Sequence, residues 1–494
     1  MISAPSRRPL LNGNRLLAIC MALVLLPSCA LFRKAETDEK KDKVGNELDP
    51  IPGKKVYDPE TGTLVVVEQT PVESMDTIRW RDISTDSLPP IKSEAAAFAQ
   101  EQDANTPQLT GRGDYGSEFY TAYNVAVILP FLTDRFNAAS SEMPENASWA
   151  LNFYGGMRMA LDQLNDEGVK LNVTVMDSKA NSRDVSRLLT GRSELLDAHL
   201  ILGPYRKENV ELVANFAKRN DITFVSPHSA ASDVSTDNPN YIQVSPTLES
   251  HCIAITQNVR RHYRPGQIVL VAREKDAEKS RFIYFQEENY RIAGVRNDSV
   301  KFREYVVDEK SENYQNINLV PFLHPGDTTV FILPSFSSET FVYSFLSHLK
   351  AVKTMDNYVA VYGMPQWMRY ERIDFELYES LNVHVSSDSY IDPYDDDIQF
   401  FRRRFYDRYG VPPGEEAFEG YDIALYFGRM ISKYGTKFQY GLERDPAQML
   451  HTRFDFERVS PPQSAGRENT RIERFENKFV NILEFKDYFF QPAD

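Results

Sequence analysis

From about residue 123 the chain repeats one pattern of apolar and polar positions. Residues 123–131, YNVAVILPF, are apolar without alternation, as in a strand covered on both faces. A helical stretch follows at about 148–167, where Met157, Leu161 and Leu164 fall on one side and Gly168 ends the run. LNVTVMD (171–177), AHLILG, ITFVSP and YIQVSPT (241–247) read as further strands, with helices near 183–196 and 207–219 between them. Strands alternating with helices predict right-handed crossovers and a mostly parallel sheet. The pattern then restarts with GQIVLVA (266–272), a helix at 275–292, strands in SVKFREYVV, DTTVFILP and NYVAVYG, and a helix at 338–352. A second unit of the same kind explains this better than one ten-stranded sheet. The predicted fold is α/β, with two doubly wound parallel-sheet lobes and an interlobe cleft; ligands bind outside the carboxyl ends of such strands. Near the end, FENKFVNILEFKDYFF alternates as one or two closing strands whose rings fill a core.

The first 120 residues read differently. Arg7, Arg8 and Arg15 precede a short apolar run at 16–26, too short for a comfortable membrane span and of signal-peptide proportions. Leu26, Ser28 and Cys29 then resemble the lipobox of bacterial lipoproteins. The resemblance implies a signal peptide over 1–28, cleavage before Cys29, and lipid attached to that residue, so that several acyl chains hold the protein on a bilayer. An ordinary secretory signal with an incidental cysteine is the alternative. Residues 29–120 are polar and rich in proline and small residues, which predicts a flexible, disordered stem reaching roughly 50 Å as a coil. Within it, 56–69 carries a turn at Asp58-Pro59-Glu60-Thr61-Gly62 and a short β segment, read as an edge strand docked on the body or a strand offered to a partner. Of three cysteines only Cys252 lies in the folded part, so no intramolecular disulfide is expected. A net charge of −15 with no sustained basic surface excludes a nucleic-acid partner.

Three stretches carry a family resemblance: YGGMRMALDQLNDEG, LILGPYRKENVELVANFAKRNDITFVSPHSAASDVS, and FFRRRFYDRYGVPPGEEAFEGYDIALYFGRMI (400–431). Together they resemble the type I periplasmic solute-binding proteins of the branched-chain amino-acid receptor group, over about 123–480. The resemblance implies interleaved lobes, 121–246 plus 387–434 and 247–386 plus 435–494, with three crossings as the hinge. It also implies that small-residue loops of lobe one seat a ligand carboxylate on backbone N–H groups. SPHSA (226–230) matches one such loop, making Ser226, Ser229 and Ala230 candidates. The loop after Gly203-Pro204 departs from the pattern with Tyr205, Arg206 and Lys207, and PFLTDRF departs as well. Three readings of Tyr205 and Arg206 stay open: an anion clamp with an aromatic platform, a plug presenting a surface to a partner, or exposed first-turn residues. On lobe two Ser335, Gln366 and Trp367 are candidates, Trp367 equally as plain packing.

Reactive chemistry finds little support. Ser226, His228 and Asp233 crowd together without a nucleophile elbow. His251 and Cys252 are adjacent on a helix and point apart, and the aspartates of DPYDDDIQFF lack a calcium-loop spacing. No catalytic residue, metal or cofactor is expected. The leading reading is a lipid-anchored periplasmic receptor closing on an amino acid or other small anion and serving an ABC transporter. The alternative is an outer-membrane lipoprotein that regulates peptidoglycan synthesis with the same fold. Ala30 after Cys29, rather than aspartate, favours the outer membrane by analogy with lipoprotein sorting.

Overall fold

The computed structural model describes residues 54–58, 63–67, 106–137, 144–309, 314–461 and 471–493. The expected signal peptide, Cys29 and most of the expected stem lie outside the described residues. Within the N-terminal unit, Lys54–Asp58 and Thr63–Val67 pair antiparallel as a separate two-stranded sheet; residues 59–62, where a turn is expected, lie outside the described residues.

The body carries two seven-stranded sheets. In lobe one, β1 (Tyr123–Leu129), β2 (Leu171–Asp177), β3 (Leu200–Leu202), β4 (Thr223–Ser226) and β5 (Tyr241–Gln243) run parallel. In lobe two, β6 (Ile268–Arg273), β7 (Arg303–Val307), β8 (Thr328–Ile332), β9 (Tyr358–Gly363) and β10 (Val383–Ser387) do the same. The unbroken apolar runs follow from burial on both faces: β1 and β6 are almost wholly buried. Lobe one packs α1 (Ser148–Asp166) on one face of its sheet and α2 (Ser182–Gly191) and α3 (Lys207–Asn220) on the other. Lobe two gathers α4 (Leu248–His262), α5 (Phe282–Ala293), α6 (Glu339–Val352) and α7 (Phe375–Ser380).

Four strands complete the sheets: β11 (Phe456–Val459), β12 (Arg474–Asn477), β13 (Asn481–Lys486) and β14 (Phe489–Pro492). The sheet orders are β11-β12-β5-β4-β3-β1-β2 and β7-β6-β8-β9-β10-β13-β14. This corrects the expected assignment of 435–494 to lobe two. β12 lies parallel to β5, with Phe475 opposite Ile242, so 456–477 closes the edge of lobe one and only 481–492 joins lobe two. The chain crosses between lobes three times, after β5, after β10 and after β12.

The expected stem also ends earlier than residue 120. Leu109–Arg112 and Glu118–Tyr120 form a hairpin on lobe one, where Ser117 Oγ donates to the Tyr434 carbonyl at 2.6 Å and Tyr115 stacks on Tyr440. Polar composition hid this docking, which rests on side-chain hydrogen bonds of Ser117 and Thr436 and on ring contacts of Tyr115 and Tyr120.

Two further helices return to lobe one, α8 (Asp396–Tyr409) and α9 (Glu415–Tyr434). α9 lies directly against α1 because glycines remove the side chains that would hold them apart. A Cβ at Gly156 would collide with the Ala417 carbonyl, and one at Gly420 with that of Phe153. This close packing sets the first turn of α9 beside the first turn of α1, at the mouth of the interlobe cleft.

Candidate ligand-binding cleft

Between the lobes lies a cavity of about 160 Å³, walled by Trp149, His228, Arg369, Asp388, Glu415 and Glu419 and floored by hinge residues such as Ser245 and Asn477. A cavity of about this volume can hold a molecule the size of benzene, so only a small solute fits the present spacing. Trp149, on the first turn of α1, anchors an aromatic wall. Its ring stacks on Tyr205 at 5.1 Å, with His228 at 5.9 Å. Glu419 stands 3.8 Å from His228 and raises the pKa of that imidazole against the opposing effect of burial. Across the mouth, Arg369 of lobe two reaches Glu415 of lobe one at 3.3 Å, both largely exposed. Four carboxylates (Asp388, Glu415, Glu416 and Glu419) thus face one guanidinium and two imidazoles, those of His228 and His451. His451 is held by buried Asp422, which also accepts the N–H groups of Leu450 and His451 at 3.1 and 2.9 Å. Burial pulls the His451 pKa down, but the Asp422 carboxylate outweighs it and the net shift is upward.

Lobe two presents a different surface. At the carboxyl end of β6, buried Arg273 donates to Glu278 through Nε at 3.0 Å and to Ser337 Oγ at 3.1 Å, while Ser335 donates to Glu278 at 2.6 Å. Burial raises the Glu278 carboxyl, yet the Arg273 and Ser335 hydrogen bonds overcome it and its pKa lies below the usual range. Arg273, Glu278, Ser335 and Ser337 are spent on one another.

The hinge has its own buried centre. Glu476, at the end of β12, accepts from Thr247 N at 3.0 Å, Thr247 Oγ1 and Ser250 Oγ at 2.8 Å, and Arg474 at 2.6 Å, with Lys478 at 2.9 Å. It ties lobe one to the N-terminus of α4 in lobe two, where a carboxylate is favoured by the helix dipole. Burial pushes its pKa up, but the charges of Lys478 and Arg474 and the hydrogen bonds bring it down to about 2.

The candidates named from sequence do not converge on one point. Tyr205 backs the aromatic wall. Arg206 is exposed, its Nε 3.4 Å from the Tyr205 hydroxyl, and Lys207 pairs with Asp233 at 2.7 Å. Gly203 explains why these bulky residues sit behind a glycine: its φ is +83°, and a Cβ would strike the Ile128 carbonyl. Ser226 is buried in the sheet, Ser229 is buried, and Ala230 is exposed. Ser335 is committed to Glu278, and Gln366 is exposed. Trp367 is core: its ring fills the space left by Gly363, and Nε1 donates to the Ser335 carbonyl at 2.8 Å. Ser226, His228 and Asp233 form no triad, since the latter two are engaged by Glu419 and Lys207. Cys252 is buried with its thiol pKa pushed well up, so it is no nucleophile. Asp395 caps α8 by accepting from Asp397 N and Ile398 N. Among the described residues no cluster of His, Cys, Asp or Glu is arranged to hold a metal.

Residues 153–436, more than half of the chain, match the family described as the receptor family ligand binding region. The chain belongs to this receptor family. Its fold is the type I periplasmic-binding fold. Among solved structures, a putative branched-chain amino acid ABC transporter protein from Rhodospirillum rubrum is similar at 14% identity, covering 75% of this chain and 100% of that one, with a TM-score of 0.52. An ABC transporter substrate-binding protein from Desulfitobacterium hafniense shows the same identity and coverage at 0.50. The C-domain of LpoA from Haemophilus influenzae, a regulator of PBP1A, aligns at 12% identity over 75% of this chain and 100% of that one, at 0.48. No curated protein matches the sequence. At these identities the structures establish the fold alone. Among the described residues no helix is long and apolar enough to cross a membrane.

Proposed function

We propose that this protein is a lipid-anchored periplasmic binding protein whose lobes close on a small ligand that presents a positively charged group. The observation carrying this reading is the charge balance of the cleft: four carboxylates around one arginine and two imidazoles, beside Trp149. A cation is attracted both by such carboxylates and by an indole ring. Arg206 does not line the cavity and its Nε lies 3.4 Å from the Tyr205 hydroxyl, so the small anion expected from the loop resemblance has no clamp there. Closure is a population shift: a ligand touching both lobes, through Trp149 and the carboxylates on one side and the Arg369 segment on the other, stabilises the shut state. Delivery to an ABC transporter, anchoring through Cys29 and placement at the outer membrane belong to the same proposal.

The test is thermal denaturation of the full chain, freed of lipid, with arginine, lysine and putrescine against glutamate and succinate. A ligand at a hundredfold excess over its Kd adds about 2.7 kcal/mol of stability. Shifts with the cations alone support the reading, and shifts with the dicarboxylates alone overturn it.

A second reading, a regulator of cell-envelope synthesis that takes up no solute, is favoured by the sealed strand ends of lobe two, where Arg273, Glu278 and Ser335 satisfy one another. Silence across the whole solute panel supports it.

A further inference from the structure

The cleft is not the roomiest concavity of lobe one. A groove of about 580 Å³ runs between α8, α9 and the hairpin formed by Ala447–Gln448 and Arg453–Phe454. Its volume falls within the range of built binding sites. Met159, Phe401 and Leu425, all buried, form an apolar floor. Its rim carries Asp392, Asp395 and Asp397, none of them in an ion pair with another described residue. The rim's two arginines do not balance them. Arg429 is paired with Glu167, which leaves Arg404, lying along the ring of Phe400 at 5.6 Å, as one cation against three carboxylates. Phe400 is 54% exposed at the rim, and Tyr394, between Asp392 and Asp395, is 79% exposed. Exposed aromatic rings next to an apolar depression are the usual anchors of a protein contact.

We propose that this groove is a docking site for an extended segment of a partner protein that sets an apolar side chain on the floor and a lysine or arginine on the rim. Charge complementarity selects a basic segment. Tyr394, between Asp392 and Asp395 on the rim, and the exposed ring of Phe400 extend the contact beyond what a lone small molecule would cover. The site is separate from the interlobe cleft and does not depend on what the cleft binds.

The experiment is fluorescence anisotropy of the full chain with a labelled, end-blocked peptide Leu-Lys-Phe-Lys-Leu, its glutamate counterpart Leu-Glu-Phe-Glu-Leu, and lysine amide as competitor. The lysine peptide is expected to bind and to weaken as salt rises, while the glutamate peptide does not bind. Asp397→Asn and Phe400→Ala, both at exposed positions, are each expected to weaken it at least fivefold with unchanged circular dichroism and melting temperature. Four results overturn the proposal: no binding of the lysine peptide, equal binding of both peptides, affinity unmoved by both variants, or displacement by lysine amide at the peptide's own concentration.

Discussion

The two lobes share the order of their five parallel strands and treat the open ends of those strands in opposite ways. Lobe one leaves a recess of rings and carboxylates around Trp149, His228, Glu415 and Glu419. Lobe two closes its strand ends with the Arg273–Glu278–Ser335 network, in which each charged group finds its partner inside the lobe. The fold fixes where a site can be, and the side chains at the strand ends decide whether a site is there.

The contrast breaks most visibly at Glu278. Removing one partner of a buried ion pair leaves the other uncompensated, at about 3–5 kcal/mol. Glu278→Ala is therefore expected to destabilise lobe two by that amount in denaturant unfolding, while Lys207→Ala, in an exposed pair of lobe one, changes stability by under about 1 kcal/mol.

The hinge comes next. The Glu476 carboxyl titrates at about 2 when folded and near 4.3 when unfolded. Its contribution, about 3 kcal/mol, is present above the unfolded value and lost as pH falls from about 4.5 towards 2. A pH series of melting curves is expected to show Glu476→Gln flattening this acid limb; an unchanged limb removes Glu476 as the tie between lobes.

Within the cleft, Trp149→Ala is expected to weaken a bound cation at least tenfold, about 1.4 kcal/mol, by calorimetry. Arg206→Ala leaves affinity unchanged, because its guanidinium faces the Tyr205 hydroxyl and solvent. Arg369→Ala has only a small effect on stability in denaturant unfolding, since it removes an exposed pair with Glu415 worth under about 1 kcal/mol.

The sequence made the sheets readable where burial on both faces forced unbroken apolar runs, as in β1 and β6. The third crossing comes later in the chain than the sequence suggests, because β12 joins β5 across more than two hundred residues, and no local pattern encodes that pairing. The site was harder to read. Trp149 and Glu415 come from helices far apart in the chain, brought together by Gly156 and Gly420. Those glycines, inside otherwise strong helical patterns, were the available signal. Ser335 and Trp367 lie near the right strand ends, but they belong to the lobe that spends its polar groups internally.

The most direct test of hinged closure on a cation is a distance measurement between spin labels on the two lobes. Labels at Glu208→Cys and Met368→Cys, read by double electron–electron resonance in the full chain, report the opening of the cleft. The account predicts a shorter, narrower distribution when the cation that stabilises the protein is added, and none of that change in Trp149→Ala. An identical distribution with and without that ligand would contradict it.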